Sequence, residues 1–340
     1  MKKIVLCITL VSLTLLLGAQ ETSRGGRERL LMDFGWRFAF GHPSDAAKDF
    51  GHGTSYFSYL AKAAYGDGAA ASGFDDRSWR KLDLPHDWAV EQDFSPQASF
   101  SHGFKAIGRA FPERSVGWYR KTFTIPATDL GRRIAIEFDG VFRNSMVWVN
   151  GHYLGTEPSG YSSFRYDITD LLHYGGSNTV AVRVDATMEE GWFYEGAGIY
   201  RHVWLSKTAP LHVAPNGTFV TTTVENTAAT VTARANIVNE NTAEGTFSVV
   251  QAIVDAQGKT VASRRQDNLQ LAPFKSLEVV STLTVAEARL WDLESPYLYK
   301  LHTTILSGDK EVDRYQTTFG IRTIRFDAKE GFFLNSRPVK

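Results

Sequence analysis

Residues 144–151, Asn144-Ser145-Met146-Val147-Trp148-Val149-Asn150-Gly151, form a short alternating run that stops on Asn-Gly. That dipeptide tolerates the left-handed backbone a two-residue hairpin needs. Val147 and Val149 fall on one face and read as core, and His152 to Gly155 reads as the return strand. The same texture continues on both sides. Val116 to Pro126 alternates and stops at proline, Arg133 to Phe138 alternates again, and Asn178 to Val184 repeats the pattern. Phe164 to Ile168 reads as a strand followed by a single helical turn at Thr169 to Leu172. Upstream, Arg29 to Phe38 reads as one strand entering a core. Residues 41 to 75, rich in Gly, Ala, Ser and Asp, read as a long loop insertion with a short helical patch between Tyr56 and Tyr65. Short strands separated by turn residues at this spacing predict an all-β chain that opens with a jelly-roll β-sandwich.

Around Thr208-Ala209-Pro210 tryptophan becomes scarce and Thr, Val and Ala take over. Strands are expected at Thr218 to Glu225, Thr230 to Val238, Gly245 to Val254, Ser276 to Val285, Tyr299 to Ser307 and Val312 to Phe319. Asp255 to Lys259 is expected to form a hairpin turn. Roughly seven strands in a segment this short predict an immunoglobulin-like β-sandwich. Phe319 to Phe326 reads as one further strand. It is followed by a hairpin, Phe332 to Leu334 and Val339 onward, about a turn at Asn335 to Arg337. The expected organisation is therefore a leader at 1–19, a jelly roll at 29–209, an immunoglobulin-like sandwich at 210–322 and a closing segment at 323–340. Because the chain stops within a strand pair, a longer parent protein is expected.

The leader has Lys2 and Lys3, then an apolar run to Leu17, then the small residues Gly18 and Ala19. That is the layout of a secretory signal peptide, and the run is short for a membrane span. Export to the periplasm or the extracellular space is expected. The single cysteine, Cys7, lies in the leader, so the remaining chain must be held by ordinary cores rather than disulfides. Lys plus Arg equals Asp plus Glu at 37 each. This leaves no net field to draw in nucleic acid or anionic lipid. A homo-oligomer is compatible with the sequence and is not specified by it.

Residues 191 to 205, Gly-Trp-Phe-Tyr-Glu-Gly-Ala-Gly-Ile-Tyr-Arg-His-Val-Trp-Leu, carry the densest functional signal. Flat rings beside tight backbone suit a sugar-facing loop, and the segment reads as a strand from Ile199 onward. Three consecutive aromatics, Trp192, Phe193 and Tyr194, cannot all face one core along an extended chain, so at least one should line a surface. Glu195 is placed either to hydrogen-bond a sugar or order the loop, or to pair with an arginine such as Arg201. Asp87 in His86-Asp87-Trp88 either staples a loop or touches substrate. Glu189 and Glu190 point to opposite sides and make poor acid/base partners. There is no cysteine after the leader, no Gly-x-Ser-x-Gly elbow, no phosphate-binding glycine loop and no helical His pair. The sequence thus offers no complete reaction centre, and neither a cofactor nor a metal site is evident.

Six motifs taken in order carry a resemblance. They are Leu84-Pro85-His86-Asp87-Trp88, Gly117-Trp118-Tyr119-Arg120, Phe138-Asp139-Gly140-Val141, Val147-Trp148-Val149-Asn150-Gly151, Gly160-Tyr161-Ser162-Ser163-Phe164 and Glu195-Gly196-Ala197-Gly198-Ile199-Tyr200-Arg201. Together they resemble the N-terminal part of glycoside hydrolase family 2, in its secreted bacterial β-galactosidase-like form. The resemblance implies a jelly-roll sugar-binding domain, an immunoglobulin-like domain and then a (β/α)8 barrel, with Phe332 to Lys340 similar to the lead-in to that barrel. It also implies retaining hydrolysis of terminal β-glycosides by two glutamates on the barrel, set about 5 Å apart, so that no catalytic residue is assigned to this chain. The loop before Gly-Ala-Gly-Ile-Tyr-Arg reaches the barrel mouth in the family. A charged residue of that loop touches the sugar in some branches, and Trp192 stands at the corresponding position with Glu195 nearby. Trp192, Tyr194, Glu195 and Asp87 are therefore the expected sugar-site wall, and a β-glycoside or oligosaccharide bound together with the barrel is the expected partner. The alternative is a stand-alone carbohydrate-binding or interaction protein of two β-sandwiches.

Overall fold

The computed structural model describes residues 26–54, 65–189, 191 and 194–339. The leader, the 56–64 patch, Trp192, Phe193 and Glu190 lie outside the described residues.

Ten strands build the first sandwich: β1 (Glu28–Leu31), β2 (Trp36–Phe40), β3 (Arg80–Leu82), β4 (Val116–Thr124), β5 (Arg133–Phe138), β6 (Ser145–Val149), β7 (His152–Glu157), β8 (Phe164–Asp167), β9 (Ser177–Asp185) and β10 (Val203–Thr208). They form a four-stranded sheet, β1-β10-β5-β8, and a six-stranded sheet, β3-β2-β4-β9-β6-β7. The predicted hairpin joins β6 to β7 through Asn150 and Gly151, at φ 51° and 82°, the signs a primed turn requires. Trp36, Phe38, Tyr119, Val147, Val149, Val180, Val182, Ile134, Ile136 and Leu205 fill the space between the sheets.

The other face of the six-stranded sheet is also covered, which is why β4 is buried at every position from Val116 to Arg120 rather than at alternate ones. Trp118 and Trp148 stack there, with centroids 5.5 Å apart and planes at 25°, under the described part of the 41–75 insertion. The insertion is pinned by polar bonds. Asp49 accepts from Trp118 Nε1 at 2.8 Å and from Arg183 Nε at 2.9 Å. Arg120 donates to the Ala69 and Ala71 carbonyls at 2.6 and 2.9 Å.

Two strand expectations are corrected in this sandwich. Residues 29–38 are not one strand but β1 and β2, in different sheets, separated by a turn at Asp33 to Gly35. Gly35 takes φ 73°, and buried Asp33 anchors the corner by accepting from Val203 N at 3.0 Å and His202 Nδ1 at 2.6 Å. The strand expected from Ile199 begins only at Val203. Residues 197–199 are engaged elsewhere: Gly198 exchanges two backbone bonds with Phe142, and the Ala197 and Ile199 carbonyls accept from Trp88 and His86.

Seven strands follow: β11 (Leu211–Glu225), β12 (Ala228–Asn239), β13 (Gly245–Val254), β14 (Thr260–Leu271), β15 (Lys275–Val285), β16 (Tyr299–Ser307) and β17 (Lys310–Phe319). They pair as β11-β12-β15 and β14-β13-β16-β17, an immunoglobulin-like sandwich. Its apolar core has two parts, one around Val249, Val279 and Ile305 and the other around Ile253, Leu283 and Leu301. On each of β13, β15 and β16 a buried polar residue, Gln251, Ser281 or Thr303, stands between the two parts. Arg27 ties the sandwiches together, bonding Asp313 at 3.0 Å and the Val213 carbonyl at 2.5 Å.

The continuous strand expected over 319–326 is broken. β17 ends at Phe319 and β18 (Ile324–Asp327) starts a separate three-stranded sheet with β19 (Gly331–Leu334) and β20 (Arg337–Val339). Buried Ile321 causes the break, since its carbonyl accepts from Trp291 N at 2.7 Å. Among the described residues the only helical elements are short 3-10 turns, and no (β/α)8 barrel is formed by them.

Candidate functional site: the loop at 191–199

The segments 86–88 and 197–199 run side by side, with His86 N donating to the Ile199 carbonyl at 2.8 Å and Trp88 N to the Ala197 carbonyl at 2.9 Å. Alternation buries Trp88 and His86 and leaves Asp87 between them on the other side. Asp87 Oδ1 accepts from the backbone N–H groups of Ala89 and Ala197, at 2.9 and 2.8 Å. Its Oδ2 accepts from Tyr194 Oη at 3.2 Å. The glycines of Gly196-Ala197-Gly198 are steric requirements of this contact. A Cβ on Gly196 would sit 2.5 Å from Asp87 Oδ2, and one on Gly198, at φ 121°, would strike Tyr119 Oη and the His86 carbonyl.

Beneath the loop a polar chain runs from core to surface. Tyr119 Oη meets His86 Nδ1 at 2.7 Å, His86 Nε2 meets Glu91 at 3.3 Å, and Glu91 is forked by Arg80 at 2.6 and 2.7 Å. Burial pushes the His86 imidazole below the usual histidine range and the Tyr119 phenol well above the usual tyrosine range. The bond from Arg80 holds the Glu91 carboxyl below its ordinary value. At the rim, burial and then the Asp87 charge raise the Tyr194 phenol, so Tyr194 remains a donor to Asp87 across neutral pH.

Of the four expected wall residues, the structure brings Asp87 and Tyr194 together. Tyr194 is 47% exposed, whereas Glu195 is 1% exposed and turned into the protein against Gly191. Its backbone orders the loop: Glu195 N donates to the Ser101 carbonyl at 2.6 Å, and its carbonyl accepts from His102 Nδ1 at 2.9 Å. Trp192 lies outside the described residues. Tyr161, also exposed, bonds the Tyr194 carbonyl at 3.4 Å.

The sequence reading passed over residues 95–104, which supply the other half of this loop's support. Ser99 caps a short turn, Phe100–His102, by accepting from Ser101 N at 3.1 Å, and Ser101 Oγ donates to the Gly191 carbonyl at 2.8 Å. The Ser-Phe-Ser-His-Gly-Phe run lies between β3 and β4, in a stretch without strand alternation, and carries no local signal of this role. Chemically, the arrangement offers one partly exposed carboxylate, held by two backbone N–H groups and a phenol, among exposed aromatic rings. That set can bind hydroxyls and cover a ring face. It does not present, among the described residues, the pair of facing carboxyls that glycoside cleavage needs. Among the described residues no three His, Asp or Glu side chains gather as a metal site. A wider groove between the two sandwiches, lined by Arg27, Arg29, Glu137, Arg165 and His212, lies away from this loop. Its arginines are paired with Asp313 and Glu137.

Comparison with known proteins agrees with this architecture. Residues 82–209 match the sugar binding domain of glycosyl hydrolases family 2, and residues 211–322 match the model named glycosyl hydrolases family 2. The chain belongs to that family. Among its relatives, the β-galactosidase BoGH2A of Bacteroides ovatus is 45% identical over 81% of this chain and 32% of that protein. A putative β-glucuronidase of Formosa agariphila is 39% identical over 78% of this chain and 24% of that protein. A solved family 2 member from Bacteroides cellulosilyticus superposes with a TM-score of 0.80 at 33% identity, covering 92% of this chain and 37% of that one. The chain thus spans about a third or less of the length of the curated relatives named here.

Proposed function

We propose that this chain is the non-catalytic N-terminal region of a secreted family 2 glycoside hydrolase of β-galactosidase type. In this reading its 191–199 loop forms one wall of a site whose two reacting carboxyls stand on a (β/α)8 barrel. The observation that carries the reading is the Asp87–Tyr194 pair: a fixed carboxylate and a fixed phenol at the exposed end of a loop whose described backbone is anchored at Gly191, Glu195 and residues 197–199. The 45% identity to a β-galactosidase, against 39% to a putative β-glucuronidase, supports the choice of galactoside. The leader sequence supports export. The substrate is a terminal β-glycoside or β-linked oligosaccharide, cleaved with retention.

The test is a pair of assays on chromogenic β-galactoside and β-glucuronide. The 340-residue chain alone is expected to turn over neither. The same sequence joined to a family 2 barrel is expected to cleave the galactoside faster. Clear turnover by the chain alone, or a preference for the glucuronide, would contradict the proposal.

A further inference from the structure

The turn at 99–104 presents two phenylalanines that the fold does not use. Phe100 and Phe104 are 61% and 52% exposed, yet the turn beneath them is rigid. Ser101 and His102 are buried and bonded to the Gly191 and Glu195 carbonyls at 2.8 and 2.9 Å, and the Ser101 carbonyl accepts from Glu195 N at 2.6 Å. Gly103 and Phe104 are both left-handed, at φ 62° and 58°. That is ordinary for glycine and an outlier for a bulky side chain. Packing within this chain does not repay the strain, because Phe104 is about half exposed. Backbone strain held at a well-anchored exposed position points to use rather than to stability.

The turn is continuous with the site already described. The Tyr194 ring lies beside Gly103 along one edge, where a Cβ would be 3.3 Å from Cδ2, and its hydroxyl reaches Asp87 at the far end. The Tyr194 ring therefore joins the polar Asp87 end of the rim to the turn that carries Phe100 and Phe104.

Building on the sugar-wall reading above, we propose that Phe100 and Phe104 determine specificity for the leaving-group unit of the substrate. Asp87 and Tyr194 Oη face the hydroxyls of the terminal sugar. The phenylalanine rings cover the apolar face of the next pyranose, or of an aryl group in its place. A phenyl ring has no hydrogen-bonding atom, so it selects for a flat apolar face and not for a hydroxyl pattern. The substrate class is then β-linked disaccharides, longer oligosaccharides and aryl glycosides, ahead of glycosides with a small alkyl leaving group.

Saturation-transfer NMR on the 340-residue chain, with lactose and methyl β-galactoside as probes, tests this. The unsubstituted chain should transfer saturation to both rings of lactose. Phe100→Ala and Phe104→Ala should cut transfer to the glucose ring at least threefold relative to the galactose ring, leaving methyl β-galactoside unaffected. Phe104→Gly should do the same while Tm stays equal or rises, an outcome that a structural role for the ring would not give. Equal loss across both rings, no change on substitution, or a glucose ring silent in the unsubstituted chain would overturn this inference alone. Silence of both rings and of methyl β-galactoside would overturn the sugar-wall reading and this inference with it.

Discussion

Asp87 Oδ2 and Tyr194 Oη lie 3.2 Å apart, although 107 residues separate them in the chain. The contact links the loop after the cis Leu84–Pro85 peptide to the aromatic loop before β10. It places the one partly exposed carboxylate of the site at a position set by backbone bonds on both sides.

Removing that carboxylate should loosen the loop. Asp87→Ala leaves the N–H groups of Ala89 and Ala197 without their acceptor. A loss of about 1–3 kcal/mol in unfolding free energy is expected, read by denaturant titration. Asp87→Asn keeps an acceptor oxygen and should cost less. Equal effects of the two substitutions would mean that the bonds to backbone are not what the aspartate contributes.

Gly198→Ala should be more damaging than its single methyl group suggests. The residue sits at φ 121°, with Tyr119 Oη and the His86 carbonyl where the methyl would go. Strain and clash together should cost upward of about 2 kcal/mol. Faster amide exchange should concentrate at 86–88 and 197–199. A substitution tolerated within about 0.5 kcal/mol would contradict the described backbone path.

The insertion over the six-stranded sheet hangs on Asp49. Asp49→Ala leaves the largely buried Arg183 guanidinium with only Asp185, at 3.4 Å, in place of its closer carboxylate partner and removes the Trp118 Nε1 acceptor. Breaking such a pair costs about 3–5 kcal/mol. Exposure of Trp118 and Trp148 should appear as a red shift in tryptophan emission before global unfolding. Loss of stability without that shift would place the effect elsewhere.

Stability should fall as pH drops from about 7 toward 5. Burial lowers the pKa of His86, His52 and His212 in the folded chain, while the unfolded residues titrate near 6.5. Below that value the unfolded chain binds more protons than the folded one, so unfolding becomes easier by up to about 1.4 kcal/mol per pH unit for each group. The contribution is complete above the unfolded pKa and is lost as pH falls toward the folded one. His86→Gln should flatten the slope of unfolding free energy against pH in this window, and an unchanged slope would show that His86 does not contribute to it.

Much of the fold was legible because strand alternation and turn residues agree. β5, β13 and β16 stand where periodicity alone placed them, and Asn150-Gly151 makes the turn its residues require. β14 was missed because it is an edge strand whose Arg264, Arg265 and Asp267 face solvent, a charged edge that discourages sheet-to-sheet pairing and masks the period. The break between β1 and β2 was hidden because its cause, Asp33 bonding Val203, is a contact over 170 residues. The site was half legible. Rings and glycines marked the 191–205 loop, but that Glu195 faces inward and that 99–104 holds it from below are properties of tertiary packing, with no local signature in the sequence.

The most direct test is kcat/KM for a β-galactoside, measured with Tyr194→Phe in an enzyme that joins this sequence to a family 2 barrel. The substitution removes one exposed hydroxyl and keeps the ring. A loss of up to about tenfold is expected, the size of one neutral hydrogen bond, with Tm moved by no more than about 4 °C. An unchanged kcat/KM would contradict the claim that this loop forms a wall of the sugar site.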